Sequence, residues 1–177
     1  MKVHDKKCLV AYYSRKGQNY VSGKIVDLKV GNTEVVANMI QKMTGGDLFP
    51  IESVTAYPKD YTETTDVAKN ELRAKARPKL TGRVENMKAY DVIFLGYPNW
   101  WGTMPMPVYT FLESYDLSGK TIVPFCTHEG SGMGRSEKDI AKACPKSTVL
   151  EGLAIHGTSA SSAESKVSSW IDRLTMT

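Results

Sequence analysis

Cysteine is scarce in this sequence and long apolar runs are absent, and each shortage excludes classes of protein. The three cysteines, Cys8, Cys126 and Cys144, are odd in number and far apart, which argues against a disulfide framework and a thiolate metal site. We expect them to be buried packing residues. No apolar run approaches the ~18 residues of a membrane span, and the opening MKVHDKKC lacks the apolar segment of a secretory signal. A cytoplasmic protein without membrane insertion is therefore expected.

Dense clusters of charge are also missing. Lys and Arg (23 residues) outnumber Asp and Glu (19 residues), giving a net charge of +4, but they are scattered along the chain. Scattered basic residues give little support for nucleic-acid binding, so no nucleic-acid partner is expected. The excess charge can instead steer an anionic cofactor or substrate toward the protein. The histidines have no ligand spacing, and no metal site is expected.

Apolar runs alternate with helical patterns along the 177 residues. Strands are predicted over 8–13, 47–52, 91–96, 121–127 and 148–155, and helices follow, the first from Thr33 and the second capped by Asp60. Five strands separated by helices favour a single α/β domain, residues 1–177, with a doubly wound five-stranded parallel sheet.

Two prolines constrain the positions of their strands in this sheet. Pro50 cannot donate to a ladder of hydrogen bonds, which places the second strand at a sheet edge. Pro124 lies inside the fourth strand, where a proline conflicts with a central position unless the strand is bulged.

An insert separates the first strand from the first helix. Residues 18–31, QNYVSGKIVDLKVG, alternate apolar and polar side chains around Ser22 and Gly23, a pattern that predicts a small β-hairpin. The insert splits a turn that ordinarily closes within a few residues. Either Gly17 or Gly31 can therefore occupy the glycine position of that turn.

The first strand, its turn and the first helix together have the geometry that binds phosphate. Unpaired N–H groups in the first turn of a helix point at the anion, and the helix dipole adds partial positive charge. Ser14, Asn32 and Thr33 can donate further hydrogen bonds, and Lys16 would add a full positive charge. The alternative is that Asn32 or Thr33 only caps the helix.

Ligands of doubly wound sheets bind beyond the carboxyl ends of the strands, where the strand order reverses. Three loops are expected to meet there, over 14–33, 97–102 and 127–134. The first offers anion donors, the second a proline and two adjacent tryptophans, and the third pairs of glycines around Ser131. We infer a pocket for a phosphorylated aromatic ring.

These segments resemble those of flavodoxin-like proteins that bind flavin mononucleotide (FMN). The resemblance is carried by YYSRKG with GNTE, then GYPNWWG, then FCTHEGSGMG, at the ends of strands one, three and four. It implies the strand order 2-1-3-4-5 and one non-covalent FMN. It also implies the following binding residues: Ser14, Lys16, Gly17, Asn32 and Thr33 around the phosphate; Pro98, Asn99, Trp100, Trp101 and Gly102 beside the ring; and Thr127, Gly130, Ser131 and Gly132 at its far rim.

The implied function is electron transfer or the reduction of small acceptors. Two versions stay open, a reductase related to quinone or nitro-compound reductases and a flavodoxin electron carrier; the partner is accordingly a small-molecule acceptor or a redox protein. The basic charge of this chain favours the reductase, because a typical flavodoxin is an acidic carrier. Alternatives without redox turnover are an interaction scaffold and a receiver-like signalling module. The latter needs acidic residues after strand one, where Tyr12, Tyr13 and Ser14 stand instead.

Adjacent side chains on extended backbone point opposite ways, so Trp100 and Trp101 cannot both enter one core. At least one is expected at the pocket, and the sequence does not decide which stacks on the ring. No catalytic residue is assigned, because Ser14 lacks evident His and acid partners and Cys126 lies inside a predicted strand.

Three further residues near the predicted pocket are given ordinary roles. His128 and Glu129 are expected to be solvated or bonded to backbone, and Tyr61 to pack within its loop.

Overall fold

The computed structural model describes residues 2–176, which form a parallel sheet covered by helices on both faces. The strands are β1 Cys8–Tyr12, β2 Gly17–Val21, β3 Lys24–Leu28, β4 Asp47–Pro50, β5 Val92–Pro98, β6 Thr121–His128, β7 Thr148–Val149 and β8 Leu153–His156. The α-helices are α1 Asn32–Thr44, α2 Tyr61–Ala74, α3 Met106–Glu113, α4 Ser136–Ala143 and α5 Glu164–Arg173. Short 3₁₀ helices occupy Val3–Asp5, Met87–Ala89 and Gly157–Ser162.

Alternate residues of the central strands enter two separate cores. Val10 and Phe94 pack with α1 and α5 on one face of the sheet. Their neighbours Leu9 and Ile93 pack with α3 and α4 on the other face. Both sets of side chains are apolar, which explains why β1 and β5 are continuous apolar runs and not alternating ones. The predicted doubly wound α/β fold is confirmed.

The order of the parallel strands along the sheet is β4-β1-β5-β6, with β7 and β8 both paired to β6. Numbering only the parallel strands gives the order 2-1-3-4-5, as the resemblance implied. Strand β4 pairs only with β1 and is an edge strand, which confirms the argument from Pro50. This order reverses between β1 and β5, so the carboxyl ends of those strands flank the expected crevice.

The fifth strand differs from the prediction because it is broken in two. Residues 150–152 separate β7 from β8, whereas one strand over 148–155 was expected. The break lies opposite Pro124, whose carbonyl oxygen faces Gly152. A residue in a parallel strand directs its N–H and C=O to the same neighbour, so the missing N–H of Pro124 also falls at the break. The conflict at Pro124 is thus resolved by an interruption in the partner strand, without a bulge in β6.

The insert after β1 is the predicted hairpin. Strands β2 and β3 pair antiparallel, and Ser22 and Gly23 form the turn with φ of 48° and 85°. These positive values belong to a type I′ turn, which matches the twist of the strands it joins. Gly31 is the N-cap of α1, in place of the predicted cap at Asn32 or Thr33. A Cβ on Gly31 would overlap the Ser14 hydroxyl and lie 2.6 Å from the Arg15 carbonyl oxygen, so this position requires glycine.

The cysteines are free and buried, as expected. Burial raises the pKa of Cys126 to about 12, which leaves its thiol protonated and unreactive near neutral pH. Within residues 2–176, every helix is too short or too polar to cross a bilayer.

Gly96 provides a test of the packing between β5 and β6. A methyl group at this position would overlap the ring of Phe125, which is 1% exposed. We expect Gly96→Ala to lower the free energy of unfolding by about 1–3 kcal/mol, because the buried ring cannot move without overpacking its neighbours. Gly82→Ala is the matched control, since a methyl there meets Phe49 at an ordinary 3.7 Å. Urea unfolding measures both, and equal stability of the two variants would contradict this account.

Candidate functional site

The loops that follow β1, β5 and β6 meet at the carboxyl edge of the sheet. The hydroxyl oxygens of Thr33 and Thr127 lie 2.7 Å apart in a buried hydrogen bond, which joins the start of α1 to the end of β6. The carbonyl oxygen of Thr127 accepts a 2.9 Å hydrogen bond from the N–H of Asn99. The Asn99 side chain also donates to the carbonyl oxygen of Gly132 at 2.8 Å. The three loops therefore converge as the sequence predicted.

The first turn of α1 presents backbone donors at this edge. The hydroxyl oxygen of Ser14 accepts the N–H of Glu34 at 3.0 Å. Among the hydrogen bonds between residues 2–176, none engages the N–H of Asn32 or of Thr33. Such first-turn N–H groups carry the positive end of the helix dipole, so this end of α1 suits an anion.

Two adjoining cavities, of about 240 and 350 Å³, form one cleft over the converging loops. The smaller contains the start of α1, the ends of β5 and β6, and Gly157 after β8. The larger extends along α2 to Trp101 and Gly102. Six residues line both cavities: Arg15, Asn19, Tyr61, Asn99, Trp100 and Ser131.

The two adjacent tryptophans have different environments. Trp100 is partly buried and makes edge-to-face contacts with Tyr13 and Tyr57 at centroid distances of 5.3 and 5.1 Å. Trp101 is 47% exposed, donates its indole N–H to the carbonyl oxygen of Thr65, and lies in the left-handed region with φ of 58°. The backbone at Trp101 is a tight turn and not the extended chain from which the directions of the two tryptophan side chains were predicted, so the premise of that prediction was wrong. Both indoles line the cleft, and Trp100 is the more firmly held.

The tryptophan loop is held from behind by Asp139. This carboxylate accepts hydrogen bonds from Thr103 at 2.6 Å, Tyr109 at 2.8 Å and Arg135 at 3.1 Å. Partial burial alone would raise the pKa of Asp139, but the three donors and the Arg135 charge outweigh burial and lower it. The N–H of Arg135 also donates to the carbonyl oxygen of Gly102 at 2.8 Å. The loop after β5 is thereby fixed against α4.

The hairpin forms the outer wall of the cleft. The Arg15 guanidinium donates to the carbonyl oxygens of Gln18, Pro58 and Lys59, which ties the base of the hairpin to the loop before α2. Within the described residues, no carboxylate forms an ion pair with Arg15. The rings of Tyr20 and Tyr61 stack with centroids 6.2 Å apart, and both line the smaller cavity. Tyr61 thus packs as expected but also lines the cleft.

The loop after β6 places two ionisable side chains in the smaller cavity. His128 Nδ1 accepts the N–H of Gly130 at 2.9 Å, the backbone role that was expected. Partial burial and the nearby His156 lower the pKa of His128. Glu129 Oε2 accepts the N–H of Ser22 in the hairpin turn at 3.3 Å, whereas Glu129 Oε1 is buried without a hydrogen-bond partner. The hairpin is therefore joined to this loop as well.

The structure places some of the sequence-predicted residues in the cleft and others outside it. Those lining it are Asn32, Thr33, Pro98, Asn99, Trp100, Trp101, Gly102, Thr127 and Ser131. Those outside its lining are Ser14, which supports α1, Lys16, which is exposed, and Gly17, Gly130 and Gly132. Whether these residues contact a cofactor stays a prediction.

Several residues that line the cleft are not among the predicted site residues: the sequence left contacts from Arg15 and Asn19 open and did not single out Gly157. Gly157 directly follows β8, so the rule that ligands bind at strand ends would have pointed to it. Glu129 was considered and given only a solvated or backbone-bonded role. Among the described residues, no three His, Cys, Asp or Glu side chains are placed to hold a metal ion.

The charge of Asp139 should make the stability of the fold depend on pH. The pKa of Asp139 is lower in the folded protein than its value of 3.8 in the unfolded chain. The charged carboxylate therefore stabilises the fold above pH 3.8, and this stability is lost as the pH falls through the pKa of the folded protein. We expect Asp139→Asn to cost about 1–3 kcal/mol near neutral pH, where the charged acceptor is lost. The gap to the parent protein should narrow below about pH 4, as the parent carboxylate is protonated.

Chemical unfolding near neutral pH and below about pH 4 measures the difference in the free energy of unfolding between Asp139→Asn and the parent protein. Asp66→Asn, an exposed position on α2, controls for the change in net charge. A gap that is the same at both pH values would contradict the role given to the Asp139 charge.

The sequence is similar to those of known proteins. The sequence model of the flavodoxin family matches residues 7–174. Flavodoxin 1 of Escherichia coli (strain K12) is 28% identical over 109 residues, covering 59% of this chain and 48% of the relative. The chain thus spans about half the length of the relatives of this kind that it matches.

Solved structures extend the similarity to the whole fold. A candidate flavoprotein from Bacteroides eggerthii DSM 20697 has a TM-score of 0.78 and 31% identity, covering 97% of this chain and 99% of that one. A second from Bacteroides uniformis ATCC 8492 has a TM-score of 0.72 and 26% identity, covering 95% and 99%. A flavoprotein from Lactobacillus acidophilus NCFM, solved in complex with FMN, shares the fold with a TM-score of 0.63 and 21% identity, covering 92% and 99%. With a match to the family over nearly all of its length, this protein belongs to the flavodoxin family.

Proposed function

We propose that the protein is an FMN-dependent oxidoreductase that reduces small acceptors, such as quinones or nitro compounds. One observation carries the proposal: Asn32 and Thr33, whose N–H groups make no hydrogen bond within residues 2–176, line the same cavity as Trp100. An anion site and an aromatic wall within one cavity match the two ends of FMN, its phosphate and its ring.

The side chains of the cleft fit this cofactor in their chemistry. Asn32 and Thr33 offer donors to the phosphate, and Arg15 adds positive charge that no described carboxylate neutralises. Trp100, held by Tyr13 and Tyr57, offers an apolar aromatic surface to the ring. Glu129 Oε1 is a buried acceptor that needs a donor. Each part of the cofactor therefore has a complementary group.

The cofactor supplies the redox chemistry when it is bound, and the protein supplies binding, orientation and electrostatics. Thr127, bonded to both Thr33 and Asn99, sets the spacing between the anion end and the aromatic end. Asp139 keeps the turn that carries Trp101 and Gly102 in one conformation. Asn19 and Tyr20 of the hairpin line the smaller cavity on its outer side.

Two features favour a reductase over an electron carrier. The hairpin adds Asn19 and Tyr20 to the lining of the cleft, where Tyr20 stacks on Tyr61, and this added wall suits a small acceptor better than a protein surface. The net charge of +4 attracts anionic donors such as nicotinamide dinucleotides, whereas acidic flavodoxins dock on basic proteins. The carrier remains the competing function because Flavodoxin 1 is among the relatives.

Flavin binding is the first test of this function. We expect the purified protein to bind one FMN, and Trp100→Ala to weaken binding about tenfold, because an aromatic partner contributes about 0.5–1.5 kcal/mol beyond area burial. Trp101→Ala should have a smaller effect, since Trp101 is 47% exposed and lines only the larger cavity. Quenching of FMN fluorescence measures all three affinities. Binding by Trp100→Ala as tight as by the parent would remove the stacking role.

Turnover separates the reductase from the carrier and from a scaffold. We expect the FMN-loaded protein to oxidise a nicotinamide donor in the presence of a quinone, with the rate falling as salt screens the positive charge. Steady-state absorbance of the donor measures the rate, and free FMN at the same concentration is the control. A loaded protein without turnover that exchanges single electrons efficiently with a redox protein would identify a carrier. A protein that binds no flavin would overturn the proposed function.

A further inference from the structure

The carboxylate of Glu129 is incompletely paired inside the cleft. Its Oε2 atom accepts the N–H of Ser22 at 3.3 Å and lies 3.7 Å from His156 Nε2, beyond hydrogen-bond distance. Its Oε1 atom is buried and has no hydrogen-bond partner among the described residues. A buried acceptor without a donor is costly, so one that lines a cavity calls for a partner such as a water, an ion or a bound ligand.

Glu129 lies between the two ends of the cleft. Thr127, two residues earlier, bonds to Thr33 at the anion end and to Asn99 at the aromatic end. Gly157 provides the space beside the carboxylate. A Cβ on Gly157 would overlap Glu129 Oε1 and lie 2.7 Å from the side-chain nitrogen of Asn32, so the carboxylate and the start of α1 share this space.

We propose that Glu129 binds the hydroxyl groups of the ribityl chain, the polyol that joins the phosphate of FMN to its ring. This inference rests on the proposed function and adds a specificity-determining residue to it. A carboxylate only accepts hydrogen bonds, so it suits hydroxyl donors and repels a phosphate dianion, which has none to offer. The remaining donor of the flavin is the ring N–H. Glu129 lines the same cavity as Trp100, but its Oε1 atom shares the space beside Gly157 with the Asn32 side chain at the start of α1, which favours the chain over the ring.

Three flavins test whether Glu129 contacts the ribityl chain, because each contains one part more than the one before. Lumiflavin has the ring without the ribityl chain, riboflavin has the ring and the chain, and FMN adds the phosphate. We expect Glu129→Ala to weaken riboflavin binding about tenfold and to leave lumiflavin binding unchanged. Only riboflavin has the ribityl hydroxyls that donate charge-assisted hydrogen bonds to the Glu129 carboxylate. Glu129→Gln, which keeps one acceptor oxygen, should lose less. Glu85→Gln, an exposed position outside the cleft, controls for the lost charge.

Fluorescence titration of each protein with each flavin, at a salt concentration that screens long-range charge, gives the affinities. A ratio of riboflavin to lumiflavin affinity that falls in Glu129→Ala and stays constant in Glu85→Gln supports the proposal. An unchanged ratio in Glu129→Ala overturns it, and equal weakening of both flavins overturns it in favour of a contact with the ring. If the parent binds no flavin at all, the proposed function fails and the inference falls with it. If the parent binds FMN and Glu129→Ala leaves the ratio of riboflavin to lumiflavin affinity unchanged, only the role of Glu129 is rejected and the proposed function stands.

Discussion

The hydrogen bond between the hydroxyls of Thr33 and Thr127 is the interaction on which the geometry of the cleft depends. It is buried, 2.7 Å long, and joins the start of α1 to the end of β6 across the crevice. It adds a direct tie between the helix terminus and the loop after β6 to the packing of α1 on the sheet. With it, the donors of α1 and the loop that carries the tryptophans are held at a set separation through Asn99.

Hydrogen bonds join the loops of the cleft to one another. Gly102 donates its N–H to the Asn99 side chain, and its carbonyl oxygen accepts the N–H of Arg135. Trp101 adopts a left-handed backbone conformation that costs an ordinary residue roughly 1–2 kcal/mol. Such a conformation persists only where surrounding contacts over-determine it, and it is most common at functional sites. Asp139 and the indole contact with Thr65 supply those contacts here.

The hairpin changes what this fold can do. It places Tyr20 over Tyr61 and directs the N–H of Ser22 to Glu129. The hairpin thereby adds a wall to the cleft beside a carboxylate of which one oxygen, Glu129 Oε1, is buried. The same insert brings Arg15 to the cleft while the neighbouring Lys16 stays exposed, so the positive charge that lines it comes from a different residue than the sequence indicated.

The sequence by itself determined the doubly wound sheet, the edge position of β4, the hairpin and the three loops, because these follow from local features: apolar runs, Pro50, and a Ser-Gly turn. Tertiary structure alone decided the break in the fifth strand, since Pro124 acts on a partner strand distant in the chain. It also decided that Gly31 meets Ser14, that Trp100 is held while Trp101 is exposed, and that Glu129 Oε1 is buried. Burial and pairing of a loop side chain depend on neighbours that only the folded chain brings together.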